Sequence, residues 1–477
     1  MLNEIAEILT EKGLIGSQWA TTQQARGDLV RLFREYYDGQ HRLKLTAEMR
    51  KMMQISDDRL DRYNDNYCEM VVDRLGDRLV LDLVANASGD AQAWAKTIMQ
   101  ANRMDALQIT VHEAMLRDGE TFVMVEYRED PAGTILAREL AWDGTCGILP
   151  VYDNRGESLV AAAKVWLDGD TTRVNIYYQN SVEKYAADGD GLKLSEEPID
   201  TTRDSKNLGV PIIPFRNRGG GRSELINVIP LQDSLNRTLI SMVMTAEWTA
   251  FSTLFGKGFK PPAGLTPGMV IHAMIEGVDD EGKPTGQPII ATTKEEAEAY
   301  AALINTYDLK RIEGGSVVEL IGQAEFLINQ IATISNTPIP AQMGGDSSSG
   351  EALKQREIGL VGKARRAQVQ TGNSWEDVFT LAHKVETLYA NAFPPAAEDW
   401  TAKWKNAEIR NDADIRETAK LLQQWGFERE AMRVLSQGSQ VQYSEEDINR
   451  LMAEKNADVS AAMARAAGSL PGFGNFN

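Results

Sequence analysis

Four histidines, His41, His112, His272 and His383, and two cysteines, Cys68 and Cys146, are the side chains best suited to hold a metal or act as nucleophiles. They are scattered singly, whereas zinc sites draw their ligands as pairs a few residues apart. The histidines therefore read as structural and the cysteines as free thiols of a reducing compartment. The acidic pairs Asp57-Asp58 and Asp279-Asp280 read as solvated loop charges. The sequence has no P-loop, no GxSxG and no HExxH. GGGRS at 219–223 could hold an anion at a helix start, but it lacks the P-loop lysine and reads better as an entry turn. No cofactor and no metal are expected, and nothing points to an enzyme.

A basic group stands out instead. Lys354, Arg356, Lys363, Arg365 and Arg366 follow a glycine- and serine-rich run, Gly344, Gly345, Asp346, Ser347, Ser348 and Ser349. Interleaved with Glu351 and Glu357, these cations make either a solvated helix face or a DNA-proximal one. The chain carries a net charge of -19 over 477 residues, and tight duplex binding by phosphate neutralisation needs the opposite sign. DNA passing without sticking remains compatible with that charge.

Long helices must position these groups. The stretch from Arg222 to Gly256 predicts one helix, straight or bent at Pro230, with Ser223 as N-cap. Leu231, Leu235, Leu239, Met242 and Ala246 form its packing stripe. Arg237, Ser241, Thr245, Thr249 and Ser252 form a second, mostly hydroxyl face. Such a face suits either a buried core helix or a helix beside copies of itself. Glu247 and the repeated Ser and Thr argue against a membrane span there. A second long helix is predicted over Ser316–Asn336, with Ser316 and Glu319 as capping box and Pro338 and Pro340 as its stop. A third starts at the pair Ser348/Glu351 and runs to about Ala390.

Elsewhere the periods change along the chain. Residues 1–80 read as helices, including one over Asn64–Leu79, and 90–117 as another ending near Gly119. From Thr121, TFVMVEY, TILAREL, AAAKVWL, RVNIYYQ and VEKYAA alternate between turn-rich segments and predict antiparallel hairpins. Between the first two long helices lies an insertion of about 55 residues, with MVIHAM and PIIAT as candidate strands and a helix near Glu295–Tyr307. Residues 410–456 read as short helices, and the end as disordered. With 43% hydrophobic and 25% charged residues, the chain is globular, α+β and mainly helical.

Several stretches resemble the portal (head–tail connector) proteins of tailed bacteriophages of the siphophage type. They are YYDGQH at 36–41, NYCEMVVDRLGDRL at 66–79, GRSELINVIPLQDSLNRTL at 221–239, SNTPIPAQMGGDSSSGEALKQRE at 335–357 and WEDVFTLA at 375–382. The resemblance spans about residues 25–390. It implies a homo-oligomeric ring, a dodecamer, around an axial channel at one capsid vertex. Residues 1–234 would be the wing, 235–255 and 316–336 the stem helices, and 256–315 the clip. Residues 337–349 would be the tunnel loop, 350–400 a long wing helix, 401–465 the crown and 466–477 a disordered tail. The implied partners are the terminase large subunit, the head–tail adaptor, the major capsid and scaffolding proteins and double-stranded DNA, with no membrane. Lys257 and Lys260, in a proline-rich turn of the clip, would serve docking. The expected location is the virion, with assembly in the host cytoplasm. A metal-dependent nucleic-acid-processing enzyme and another capsid component are the rival readings.

Overall fold

The computed structural model describes residues 1–477 except 45–46, 48–64, 188–190, 204–205, 251–252, 258–275, 279–283, 289–292, 296–297, 299–307, 313–316, 339–349, 391–393, 398, 409–411, 437–446, 456, 458–459 and 461–477. Helices α1 (Leu2–Glu11), α2 (Trp19–Tyr37) and α3 (Cys68–Gly76) open the chain. The third is shorter than the predicted Asn64–Leu79. Asn66 Oδ1 accepts from the Cys68 amide and so caps its first turn. Strand β1 (Leu81–Ala85) follows, then α4 (Gly89–Ala101) and α5 (Met104–Asp118).

The single helix expected over 90–117 is two, and the break has a cause. Arg103 takes a left-handed φ of 48°. The Asn102 amide nitrogen donates to the carbonyls of Ile98 and Thr134, and its oxygen accepts from the Leu136 amide. One side chain thus ends α4 and docks the break on the neighbouring strand.

The β-rich centre forms as alternation predicted. Strands β2 (Glu120–Glu129) and β3 (Ala132–Leu140) pair, and β4 (Gly147–Tyr152), β5 (Leu159–Asp168), β6 (Thr171–Tyr178) and β7 (Ser181–Ala187) follow. β8 (Leu192–Leu194), β9 (Ile199–Asp200), β10 (Thr202–Arg203), β11 (Lys206–Asn207) and β12 (Ile212–Arg216) complete this region. One sheet runs β12-β2-β3; a second runs β4-β5-β6-β7-β8, with β9 beside β7. All these strand pairs are antiparallel. Strand β4 escaped prediction because Pro150 lowers strand propensity; it lies at the edge of its sheet, where a missing amide is tolerated. The apolar face of α1 (Ile5 and Leu9, both fully buried) packs on this second sheet.

Helix α6 (Ile229–Ala250) is shorter at both ends than the predicted Arg222–Gly256. Ser223 is not its N-cap. The Ser223 hydroxyl donates to the Arg117 carbonyl and accepts from the Leu225 amide, so it builds a turn that ties the approach to α5. Pro230 stands in the first turn of α6, where its absent amide has no role. Beyond α6 comes strand β13 (Thr253–Lys257), then β14 (Glu276–Val278), β15 (Pro284–Pro288) and β16 (Asp308–Ile312). β13 pairs with β16 and β14 with β15, both antiparallel. The candidate strand MVIHAM lies outside the described residues, as does PIIAT beyond Pro288, which ends β15. Helices α7 (Val317–Ser335) and α8 (Gly350–Tyr389) match their predicted spans. Strand β17 (Thr401–Trp404), α9 (Asp412–Gln424) and α10 (Glu428–Leu435) follow.

The main core is built where α8 crosses the first sheet. Trp375, Val378, Phe379 and Ala382 are fully buried and share one cluster with Val123, Phe215, Val72 and Leu75. The Trp375 ring meets Phe215 edge-on at 4.7 Å between centroids, and its indole NH donates to His112 Nε2.

Candidate functional site

α6 and α7 lie against one another and carry the chain out to and back from the insertion. How they are rooted follows from polar residues at the start of α6. Gln232 and Asn236 are 0% and 2% exposed. Gln232 accepts from the Tyr67 amide at 2.9 Å and donates to the Asp65 carbonyl at 2.7 Å. Asn236 accepts from the Asp65 amide at 3.0 Å, and its amide nitrogen lies 3.1 Å from His41 Nε2. The His41 ring stacks on Tyr36 at 4.0 Å. Tyr36 in turn donates to Asp233, which Lys44 also pairs at 2.8 Å. Burial pushes the His41 pKa down and, with the Asp233 hydrogen bond, the Tyr36 pKa up. Two stretches singled out in the sequence, YYDGQH and LQDSLNR, thus meet in one network.

One hydroxyl on the second face of α6 is satisfied locally. Ser241 donates to the Arg237 carbonyl at 2.9 Å, an i−4 bond that leaves no donor directed outward. Arg237 is exposed and reaches the Lys44 carbonyl at 3.4 Å. Thr245 is half-buried. Thr249 lies on α6 with its side chain outside the described residues, as does Ser252 entirely.

α7 is asymmetric. Ala324, Leu327, Ile328, Ile331 and Ser335 are buried. Val318 and Phe326, at 75% and 59% exposed, and Ile321 and Ile334 point out. Among the described residues it is the helix long and apolar enough to cross a membrane. A core helix sharing its buried arc with α8 passes the same test.

The basic group does not form one face. Lys363 is buried, 2.5 Å from Glu224 and donating to the Ser335 carbonyl at 2.9 Å. It is not available to a polyanion, which corrects its place in the DNA-proximal set. Burial alone would raise the Glu224 carboxyl, but Lys363, Asn217 and Arg218 hold it below its usual range. Sequence reasoning missed this pair because Glu224 is remote in the chain. Arg365 and Arg366 are exposed; Arg365 pairs with Glu408 at 2.6 Å and Arg366 donates to the Gly362 carbonyl. Lys354 and Arg356 lie on the first turns of α8 with their side chains outside the described residues. Gly344, Gly345, Asp346, Ser347, Ser348 and Ser349, and Lys260, also lie outside them. Lys257 ends β13 opposite Asp308, its side chain undescribed.

GGGRS is an entry turn. Gly221 has φ 71°, and a Cβ there would meet Arg26 Nη2 at 2.8 Å. His112 accepts from Trp375 and faces the Leu79 carbonyl at 2.8 Å; His383 Nε2 meets the Pro395 carbonyl. Among the described residues no group of three or more His, Cys, Asp or Glu could hold a metal ion.

The structure thus pairs two long helices on a mixed α+β body, with apolar side chains of α7 left exposed. Comparison with known proteins gives the family. The family model described as phage portal protein, SPP1 Gp6-like, matches residues 21–461, and the chain belongs to that family. The portal protein of Mycobacterium phage L5 is 22% identical over 370 residues, covering 71% of this chain and 68% of that protein. A chain from the virion of a native gene transfer agent particle covers 81% of this chain and 91% of its own length, at 12% identity and a TM-score of 0.38. The chain is a phage portal protein by family, and its role is that of a structural virion component.

Proposed function

We propose that the chain is the subunit of a ring, a dodecamer, that forms the channel for double-stranded DNA during packaging and ejection. In this reading it docks the terminase large subunit at its clip during packaging and later the head–tail adaptor. It is structural and non-enzymatic, is assembled in the host cytoplasm with the major capsid and scaffolding proteins, and stays at the capsid vertex. The observation that carries this is α7, which has Phe326, Ile321 and Val318 exposed on a helix apolar enough to need a partner. Subunits in a ring supply that partner by meeting head to tail through two different faces. α6, α7 and the strands between them are the stem and clip, residues 337–349 the tunnel loop, and Arg365 and Arg366 the exposed DNA-proximal cations of α8. A conduit built from chains of net charge -19 lets DNA slide.

Native mass spectrometry and negative-stain electron microscopy of the purified protein test the ring. A monomer under every condition would overturn it. Changing Lys257 and Lys260 to glutamate should weaken motor or adaptor docking while rings still form, as read in an in vitro packaging assay. Shortening 344–349 should impair packaging or DNA retention more than assembly; loss of rings instead would make that loop structural.

A further inference from the structure

The α6–α7 pair meets the body at a buried cation. Lys363 on α8 contacts two other segments at once: Glu224, in the turn before α6, and the Ser335 carbonyl, at the end of α7. The remaining valences of Glu224 are filled by Arg218 at 2.7 Å and Asn217 at 2.9 Å. Next to Lys363 on α8, Gly359 lies against Asn336, which has a left-handed φ of 56°. A Cβ on Gly359 would fall 2.8 Å from Asn336 Oδ1. The end of α7 is therefore fixed to α8 at two adjacent places.

Burial along the two helices has the same sense. The buried residues of α7 are Ala324, Leu327, Ile328, Ile331 and Ser335, with Phe326 and Ile334 exposed between them, and none of 317–323 is buried. α6 is buried at Gln232, Leu235 and Asn236 and half-exposed from Ser241 to Thr245. Both helices are gripped at one end and project at the other. A buried ion pair adds little net stability compared with an apolar pair of the same volume, so stability alone does not account for this one. A lysine on the last carbonyls of a helix does favour one orientation of that helix.

We propose that Lys363, Glu224 and the Ser335 carbonyl form a clamp that fixes the angle at which α7 meets α8. The clamp thereby sets where the chain between those helices begins and ends. Breaking it frees the root of the helix pair while the body stays folded. It acts within one subunit and holds whether or not a ring forms.

Hydrogen exchange with mass-spectrometric readout on the purified full-length protein tests this. In Lys363→Met and in Glu224→Gln, amides of 328–337 should exchange about tenfold faster or more, with β2 and β3 unchanged. The double variant Glu224→Leu with Lys363→Met should regain the wild-type melting temperature, because the buried charges leave together, yet keep the fast exchange at 328–337. Lys363→Arg, which retains the charge, should stay closer to wild type and serves as the folded comparison where a single variant fails to fold. Wild-type protection of 328–337 in the double variant would overturn the clamp. So would equal acceleration across β2 and β3 in the single variants, or in Lys363→Arg as large as in Lys363→Met.

Discussion

Trp375 and Phe326 are large aromatic residues on long helices of the same chain, one at 0% and the other at 59% exposure. Around Trp375, α8, the β12-β2-β3 sheet and α3 interlock in one buried cluster, while Ile109, Ile358 and Val369 stay on the surface of the body. The α6–α7 pair buries only the faces that root it and leaves apolar side chains to solvent. A folded subunit thus has two kinds of apolar residue. One kind decides whether the chain folds, and the other is what we propose a neighbouring subunit covers.

Four substitutions would break or sharpen this contrast. The largest effect is expected for Trp375→Ala, which removes the core's largest fully buried side chain and orphans His112. Stability should fall by about 3–5 kcal/mol, read by urea denaturation. Asp118→Ala comes next. Asp118 is buried between Arg34 at 2.9 Å and Arg117 at 2.7 Å, and losing it leaves Arg34 with Asp143 and the Ala141 carbonyl, and Arg117 with the longer pair to Glu113. A fall of about 3 kcal/mol is expected.

The third is a pH dependence. Burial pushes His112 from 6.5 down to about 4. The folded state holds it neutral, so its contribution is intact above pH 6.5 and is lost as pH falls from 6.5 to about 4. The slope is about 1.4 kcal/mol per pH unit. His112→Gln should flatten the stability–pH profile in that window by about one proton, measured by denaturation at pH 7 and pH 4.5. The smallest effect on stability belongs to Phe326→Glu, within about 0.5 kcal/mol of wild type. In native mass spectrometry the same variant should lose the ring. If Phe326→Glu unfolded the subunit, or left assembly untouched, the contrast between the two regions would fail.

Much of the body was legible from period alone. Strands β2, β3 and β5 to β7 alternate, and Leu320, Ala324, Leu327, Ile331 and Ile334 repeat at helical spacing. Boundaries were legible only where a local residue sets them, as Pro338 does after α7. They were missed where a distant side chain does. Asn102 breaks a helix by bonding to β3, and Gln232 holds the chain before α3 from across the core. The candidate site divides the same way. The three long helices were readable as an order of elements. That Lys363 belongs to Glu224 rather than to Arg365 was not, because helical spacing gives an angle and not a counterion. Ser223 shows the opposite failure: its type suits a cap, but its hydroxyl is already committed to Arg117.

The pairing of β1 with β17 bears on biosynthesis. Leu81 sits opposite Trp404 and Ala85 opposite Thr401, antiparallel, with most of the chain between them. The Lys405 amide also reaches back to the Val80 carbonyl, and Arg78 to the Ala407 carbonyl. A nascent chain holding α3 and β1 cannot close this seam until β17 has left the ribosome, and contacts so far apart in sequence form slowly. Until then the apolar edge at Leu81 and Val84 is open. Newly made subunits must therefore be finished before they can be joined, and a chain stopped short of residue 404 should be recognised as unfolded rather than built into a particle.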